Sequence, residues 1–106
     1  MFRLRSASAF LKPGGSAVSP ESVLHLAREH YQAGRVSDAK ALCQQILREQ
    51  PRYPEALDFL GVIKLQLGDA QAALALFSQA ISQDNTKGLF YAHAGDAAFN
   101  LGGFSD

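Results

Sequence analysis

The chain repeats itself after 34 residues, and that period restricts the possible fold more than any other property. Sliding residues 20–53 onto 54–87 superposes nine identities without a gap: Pro20 on Pro54, Glu21 on Glu55, Leu26 on Leu60, Gln32 on Gln66, Gly34 on Gly68, Ala39 on Ala73, Ala41 on Ala75, Leu42 on Leu76 and Gln45 on Gln79. A third copy begins at Gly88, keeps Gly95 under Gly61 and Gly102 under Gly68, and stops at Asp106 after little more than half a unit.

Each unit reads as two helices joined by a tight turn. In the first unit Ser19 is placed to cap, Pro20 stands at the first helical position, and apolar residues recur at Val23, Leu24, Leu26, Ala27 and Tyr31. Gly34 ends this helix, because a left-handed closing residue is adopted by glycine without a Cβ clash. The pair Ser37-Asp38 is expected to cap a second helix, in which Ala39, Leu42, Cys43, Ile46 and Leu47 hold the 3.6-residue period until Pro51 stops it. Tyr53-Pro54-Glu55 opens the next unit in the same way.

The small residues have a steric purpose. Ala27, Gly61 and Gly95 share one repeat position and Ala39 and Ala73 another, so the two antiparallel helices of a unit can approach where bulkier side chains would hold their axes beyond about 8–10 Å. Val23, Leu57 and Tyr91, Leu26 and Leu60, and Cys43 and Phe77 fill the flanks. A lone helix pair cannot bury both apolar faces, so pairs must stack into a solenoid. The expected class is all-α, with about two and a half repeats: 20–53, 54–87 and the partial 88–106.

A 34-residue helix-turn-helix unit of this pattern resembles the tetratricopeptide repeat. The matching positions are Val23, Leu26, Ala27, Gly34, Ala39 and Pro51, then Leu57, Leu60, Gly61, Gly68, Ala73, Phe77 and Ala80, then Tyr91, Gly95 and Gly102. Departures from the family pattern are His30 and Lys64 at a usually aromatic position, Ile46 for alanine and Asn85 for the closing proline.

The resemblance implies a non-enzymatic module that binds a protein, as an extended peptide or a partner helix, in a concave groove lined by the first helix of each unit. The groove positions are then Glu21, Leu24, His25, Arg28 and Gln32, followed by Glu55, Asp58, Phe59, Val62 and Gln66, with His93, Asp96 and Asn100 from the third unit. Phe59 and Val62 would supply apolar contact, and Gln32, Gln66 and Asn100 would bond main-chain amides. Arg28 is the only cation in this set, and Leu24 and Phe59 occupy positions of the family's carboxylate clamp, which argues against recognition of a carboxylate terminus. His25, Phe59 and His93 stand where an asparagine ladder precedes O-linked N-acetylglucosamine transferase domains. The repeat style is still similar to segments fused ahead of such transferases. The alternative is therefore the substrate-recognition segment of a longer glycosyltransferase or methyltransferase, with its catalytic part elsewhere.

Other chemistry finds little support. His25 and His30 lie about 140° apart around a helix, and His93 is two units away, near 20 Å, so no metal site is expected. Cys43 shares its repeat position with Phe77, which points to a buried, inert thiol. Gly14-Gly15 follows no strand and is not a phosphate cradle. No cofactor is expected.

Ten basic and ten acidic side chains give no net charge. This lacks the basic excess that nucleic acid or an anionic membrane surface demands. No apolar run reaches the roughly 18 residues of a membrane span, and a single cysteine fits a reducing, cytoplasmic setting.

Residues 1–19 carry Arg3, Arg5 and Lys12, no acid, and the breaker run Pro13-Gly14-Gly15-Ser16, and are expected to form a flexible tail. Their composition also resembles an organellar transit peptide. At the other end Ser105-Asp106 matches Ser37-Asp38, so a helix near residues 89–101 is expected to leave Tyr91, Ala94, Ala98 and Phe99 uncovered. Solenoids usually need about three units and capped ends, so the expectation is a fragment of a longer protein, or self-association through that helix.

Overall fold

The computed structural model describes residues 19–102, and the expectations for the tail and for Ser105-Asp106 lie outside them. Among the described residues there are five α-helices and no strand: α1 Pro20–Gln32, α2 Val36–Glu49, α3 Pro54–Gln66, α4 Ala70–Gln83 and α5 Gly88–Asn100. Backbone packing divides the chain into two compact units, one ending at Pro51 and the other starting at Arg52.

In the first unit α1 packs on α2. Ser19 caps α1, its Oγ accepting from the Ser22 amide at 3.2 Å, and Pro20 fills the first turn, where its missing N–H costs nothing. The helix closes through Gly34 at φ 87°, with the Arg35 amide donating to His30 O at 2.8 Å and the Gly34 amide to Tyr31 O at 3.1 Å. That is the paired bond of a Schellman end, and it requires the left-handed residue that glycine supplies. α1 buries Val23, Leu24 and Ala27, and α2 buries Ala39, Leu42, Cys43 and Ile46.

α2 starts two residues earlier than a Ser37 cap predicts. Arg35 is its N-cap and makes no side-chain cap bond. Because Gly34 has already turned the chain, Val36 enters helical geometry directly. Asp38 then lies in the first turn, where a carboxylate favours the positive end of the helix dipole.

The second unit repeats the hairpin and adds one helix. α3 packs on α4, α4 on α5, and α5 touches α3 more lightly. Gly68, at φ 90°, makes the same turn as Gly34, with the Asp69 amide donating to Lys64 O at 2.9 Å. Here the cap is made: Asp69 Oδ1 accepts from the Ala72 amide at 3.1 Å. The connection from α4 to α5 is set by Asp84, whose Oδ1 accepts from the Thr86 amide at 3.0 Å and the Thr86 hydroxyl at 2.6 Å. Those bonds stabilise its anion and lower its pKa.

One buried cluster of this unit is Ala73, Phe77 and Ala97, with Val62, Leu65, Leu74 and Ala94 packed around it. Phe77 is fully buried and its ring occupies the space left by Gly61, where a Cβ would stand 2.5 Å from Cε1. Gly95, at the same repeat position, has nothing within 4 Å of such a Cβ. Of the four residues expected to be uncovered on α5, Tyr91, Ala98 and Phe99 are exposed, whereas Ala94 packs against the core.

Candidate functional site

The first helices of the repeats carry all thirteen groove candidates, and their environments sort them into three groups. Glu21, His25, Arg28 and Gln32 on α1, Gln66 on α3, and Asp96 and Asn100 on α5 are exposed. Glu55, Val62 and His93 are half-buried. Leu24, Asp58 and Phe59 are buried.

The buried group corrects the expectation that these side chains stand ready for a ligand. Phe59 belongs to a helix that is apolar nearly all round: Ala56, Leu57, Leu60, Gly61 and Ile63 are buried with it. Such a helix is enclosed and presents no single core-facing stripe. Val62 is turned to the Ala73–Phe77–Ala97 core, so neither residue offers the open apolar contact predicted for it.

Asp58 and His93 are joined. His93 Nδ1 stands 2.9 Å from Asp58 Oδ1 and 3.0 Å from Oδ2, linking α3 to α5. An ionised carboxylate only accepts, so Nδ1 carries the donated proton. The imidazole also lies over the Phe77 ring, with centroids 5.4 Å apart and planes at 36°. The Asp58 side chain is only 8% exposed, and burial of a carboxylate demands such a partner. Nearby, Lys87 Nζ reaches Glu55 Oε2 at 3.2 Å.

On α1 the exposed His25 Nε2 meets Glu29 Oε2 at 3.1 Å, one turn along the same helix. His30, outside the candidate set, accepts at Nδ1 from Arg35 Nε at 2.9 Å. On α5 the Asn100 side chain donates to Asp96 O at 2.9 Å. Among the described residues no group of three or more His, Cys, Asp or Glu comes together as a metal site would require. No helix among them is long and apolar enough to cross a membrane.

Cys43 is fully enclosed. Burial pushes its thiol up to about 12, with Arg28 pulling weakly the other way, so the thiolate needed for nucleophilic work is suppressed.

Sequence reasoning missed two participants, Lys87 and the role of Phe77 beneath His93. The Asp58–His93 pair was legible in principle: residues one repeat plus one position apart, of complementary chemistry, on successive first helices.

Helical hairpins with glycine turns and a small-residue contact define a helical repeat scaffold. The family model described as tetratricopeptide repeat matches residues 24–88, and the chain belongs to the tetratricopeptide repeat family. Its fold is similar to the solution structure of a tetratricopeptide repeat domain protein from Salinibacter ruber, with a TM-score of 0.65 at 24% identity, covering 81% of this chain and 89% of that one. No curated protein sequence matches the chain.

Proposed function

We propose that this protein is a non-catalytic binding module that takes an extended peptide or a partner helix on the outer faces of its first helices, in a reducing setting such as the cytoplasm. Tetratricopeptide repeats in general mediate protein–protein interaction, and the exposed side chains on these faces suit that task. The observation that carries the reading is the exposure of Gln66, Asp96 and Asn100 on the first helices of the second unit, where Asp58 pairs with His93 and Glu55 with Lys87. The tied pairs fix the scaffold. Each exposed side-chain amide has both donor and acceptor atoms, the complement of a peptide main chain. On α1, Gln32 offers the same chemistry and Arg28 a cation for an acidic side chain.

The test is selection from a random peptide display library, followed by fluorescence polarisation with the enriched peptide. Replacing Gln66 and Asn100 together by alanine is expected to weaken binding at least about tenfold, since each amide hydrogen bond contributes on the order of 1 kcal/mol and its loss strands a partner. Helix content by circular dichroism is expected to stay unchanged. Failure to enrich any peptide, or undiminished binding by the double variant, would refute the assignment of these faces.

A further inference from the structure

The groove positions of the second unit hold the carboxylates Glu55, Asp58 and Asp96 and no lysine or arginine. Two of the three are engaged, Glu55 with Lys87 and Asp58 with His93. The exposed Asp96 carboxylate meets no cation among the described residues.

His93 adds an acceptor whose direction is fixed. Its Nδ1 gives its proton to Asp58, so in the neutral ring Nε2 carries a lone pair and no hydrogen. The ring also lies over Phe77 and cannot turn without giving up both contacts. Nε2 makes no hydrogen bond among the described residues. Among them Gln45 Oε1 is the one enclosed side-chain oxygen or nitrogen left without a partner, so Nε2 reaches water, on a side chain that is 24% exposed.

His93, Asp96 and Asn100 follow one another at intervals of three and four residues and share one side of α5, with the Cβ atoms of His93 and Asp96 about 5–6 Å apart. Asn100 spends an amide N–H on Asp96 O and keeps its Oδ1 as an acceptor. A ligand on this side therefore meets a full negative charge, an imidazole lone pair backed by a buried carboxylate, and no positive charge at any groove position of the unit.

We propose that this side of the second unit selects a cationic side chain of the bound peptide, arginine or lysine, with Asp96 as its charge partner and His93 Nε2 as a neutral acceptor beside it. Asp58 is the positioning residue that holds the imidazole. The inference rests on the peptide-binding reading above and names what the peptide carries at this point. Guanidinium and ammonium groups present only donors, which match acceptors that have none of their own to offer. An acidic side chain here would face Asp96 and a lone pair, with repulsion from the first and no hydrogen from the second.

Degenerate synthetic peptide pools that differ only in one fixed central residue, arginine, lysine, citrulline, glutamate or leucine, test it on the full chain by fluorescence polarisation. The arginine and lysine pools are expected to bind at least about tenfold more tightly than the citrulline pool, which keeps the shape of arginine without its charge. Asp96→Asn, a change on an exposed residue, is expected to bring arginine within about twofold of citrulline, and Asp96→Lys to turn the preference towards glutamate. Glu49→Gln, which removes an exposed carboxylate from α2, is expected to leave the preference intact. Asp58→Leu with His93→Phe removes the pair without stranding a buried charge, and is expected to lower the arginine-to-citrulline ratio at least about threefold at unchanged helix content; a pair that only held the fold would leave the ratio alone. In the wild type, long-range nitrogen–proton spectra at about pH 8, above the ordinary imidazole range, are expected to show the His93 hydrogen on Nδ1 and an Nε2 resonance that moves when the arginine pool is added. Equal binding of the arginine, citrulline and glutamate pools would overturn the inference and leave peptide binding standing, whereas binding of no pool would overturn both. A ratio unmoved by Asp96→Asn, or an Nε2 resonance unmoved by the arginine pool, would also overturn it.

Discussion

Two glycines at one repeat position show how far the consequence of a residue depends on its neighbour. Gly61 holds open the volume that the Phe77 ring fills, whereas Gly95 faces open space. Gly61→Ala drives a methyl into a fully buried ring and is expected to cost about 1–3 kcal/mol. Gly95→Ala, made in a helix interior with no such contact, is expected to raise the stability of the monomer by about 0.5–1 kcal/mol through reduced backbone entropy. Urea unfolding at low micromolar concentration measures both, and equal effects would contradict the packing difference. Cys43 contributes a pH dependence on the alkaline side. Its folded pKa is about 12 against an ordinary 9.0, so its contribution to stability is complete below pH 9 and is lost as pH rises towards 12, because only the unfolded chain can ionise the thiol there. Between pH 8.5 and pH 10.5 the wild type is expected to lose about 2 kcal/mol more than Cys43→Ala, at about 1.4 kcal/mol per pH unit above 9. Burial of Cys43 was legible from its equivalence to Phe77; the openness of Gly95 was not, because sequence equivalence with Gly61 says nothing about whether a ring lies above it.

Helix ends are the part of this molecule that local chemistry specifies best. The Ser19 cap, proline in the first turns of α1 and α3, and the left-handed glycines after α1 and α3 act through bonds spanning at most five residues, so the sequence shows them directly. The one element boundary read differently, the start of α2, also has a local cause: Gly34 completes the turn before Ser37 is reached. Gly68, at φ 90°, bears the turn between α3 and α4, and Gly68→Ala forces a Cβ into the left-handed region although nothing crowds it sterically. That variant is expected to lower stability by about 1 kcal/mol, with Gly88→Ala as a control whose backbone needs no left-handed residue. Thermal melts followed at 222 nm distinguish the two, and an unchanged midpoint for Gly68→Ala would remove the turn argument.

For the whole molecule, the repeat period and the family resemblance assign a tetratricopeptide fold, and the helices begin at Pro20, Pro54 and Gly88 with that spacing. The period identifies which residues are equivalent, but equivalent positions need not be equally open. Position by position, Leu24 is buried while Ala92 is exposed, and Phe59 is buried while His25 is exposed and His93 sits half-covered beside Asp58. Helical hairpins follow from the sequence alone because caps, turn glycines and the alternation of large and small side chains operate within a few residues of chain. Which polar groups are consumed in holding the scaffold depends on side chains about a repeat apart coming within a few ångströms, and only the packed helices bring those pairs together.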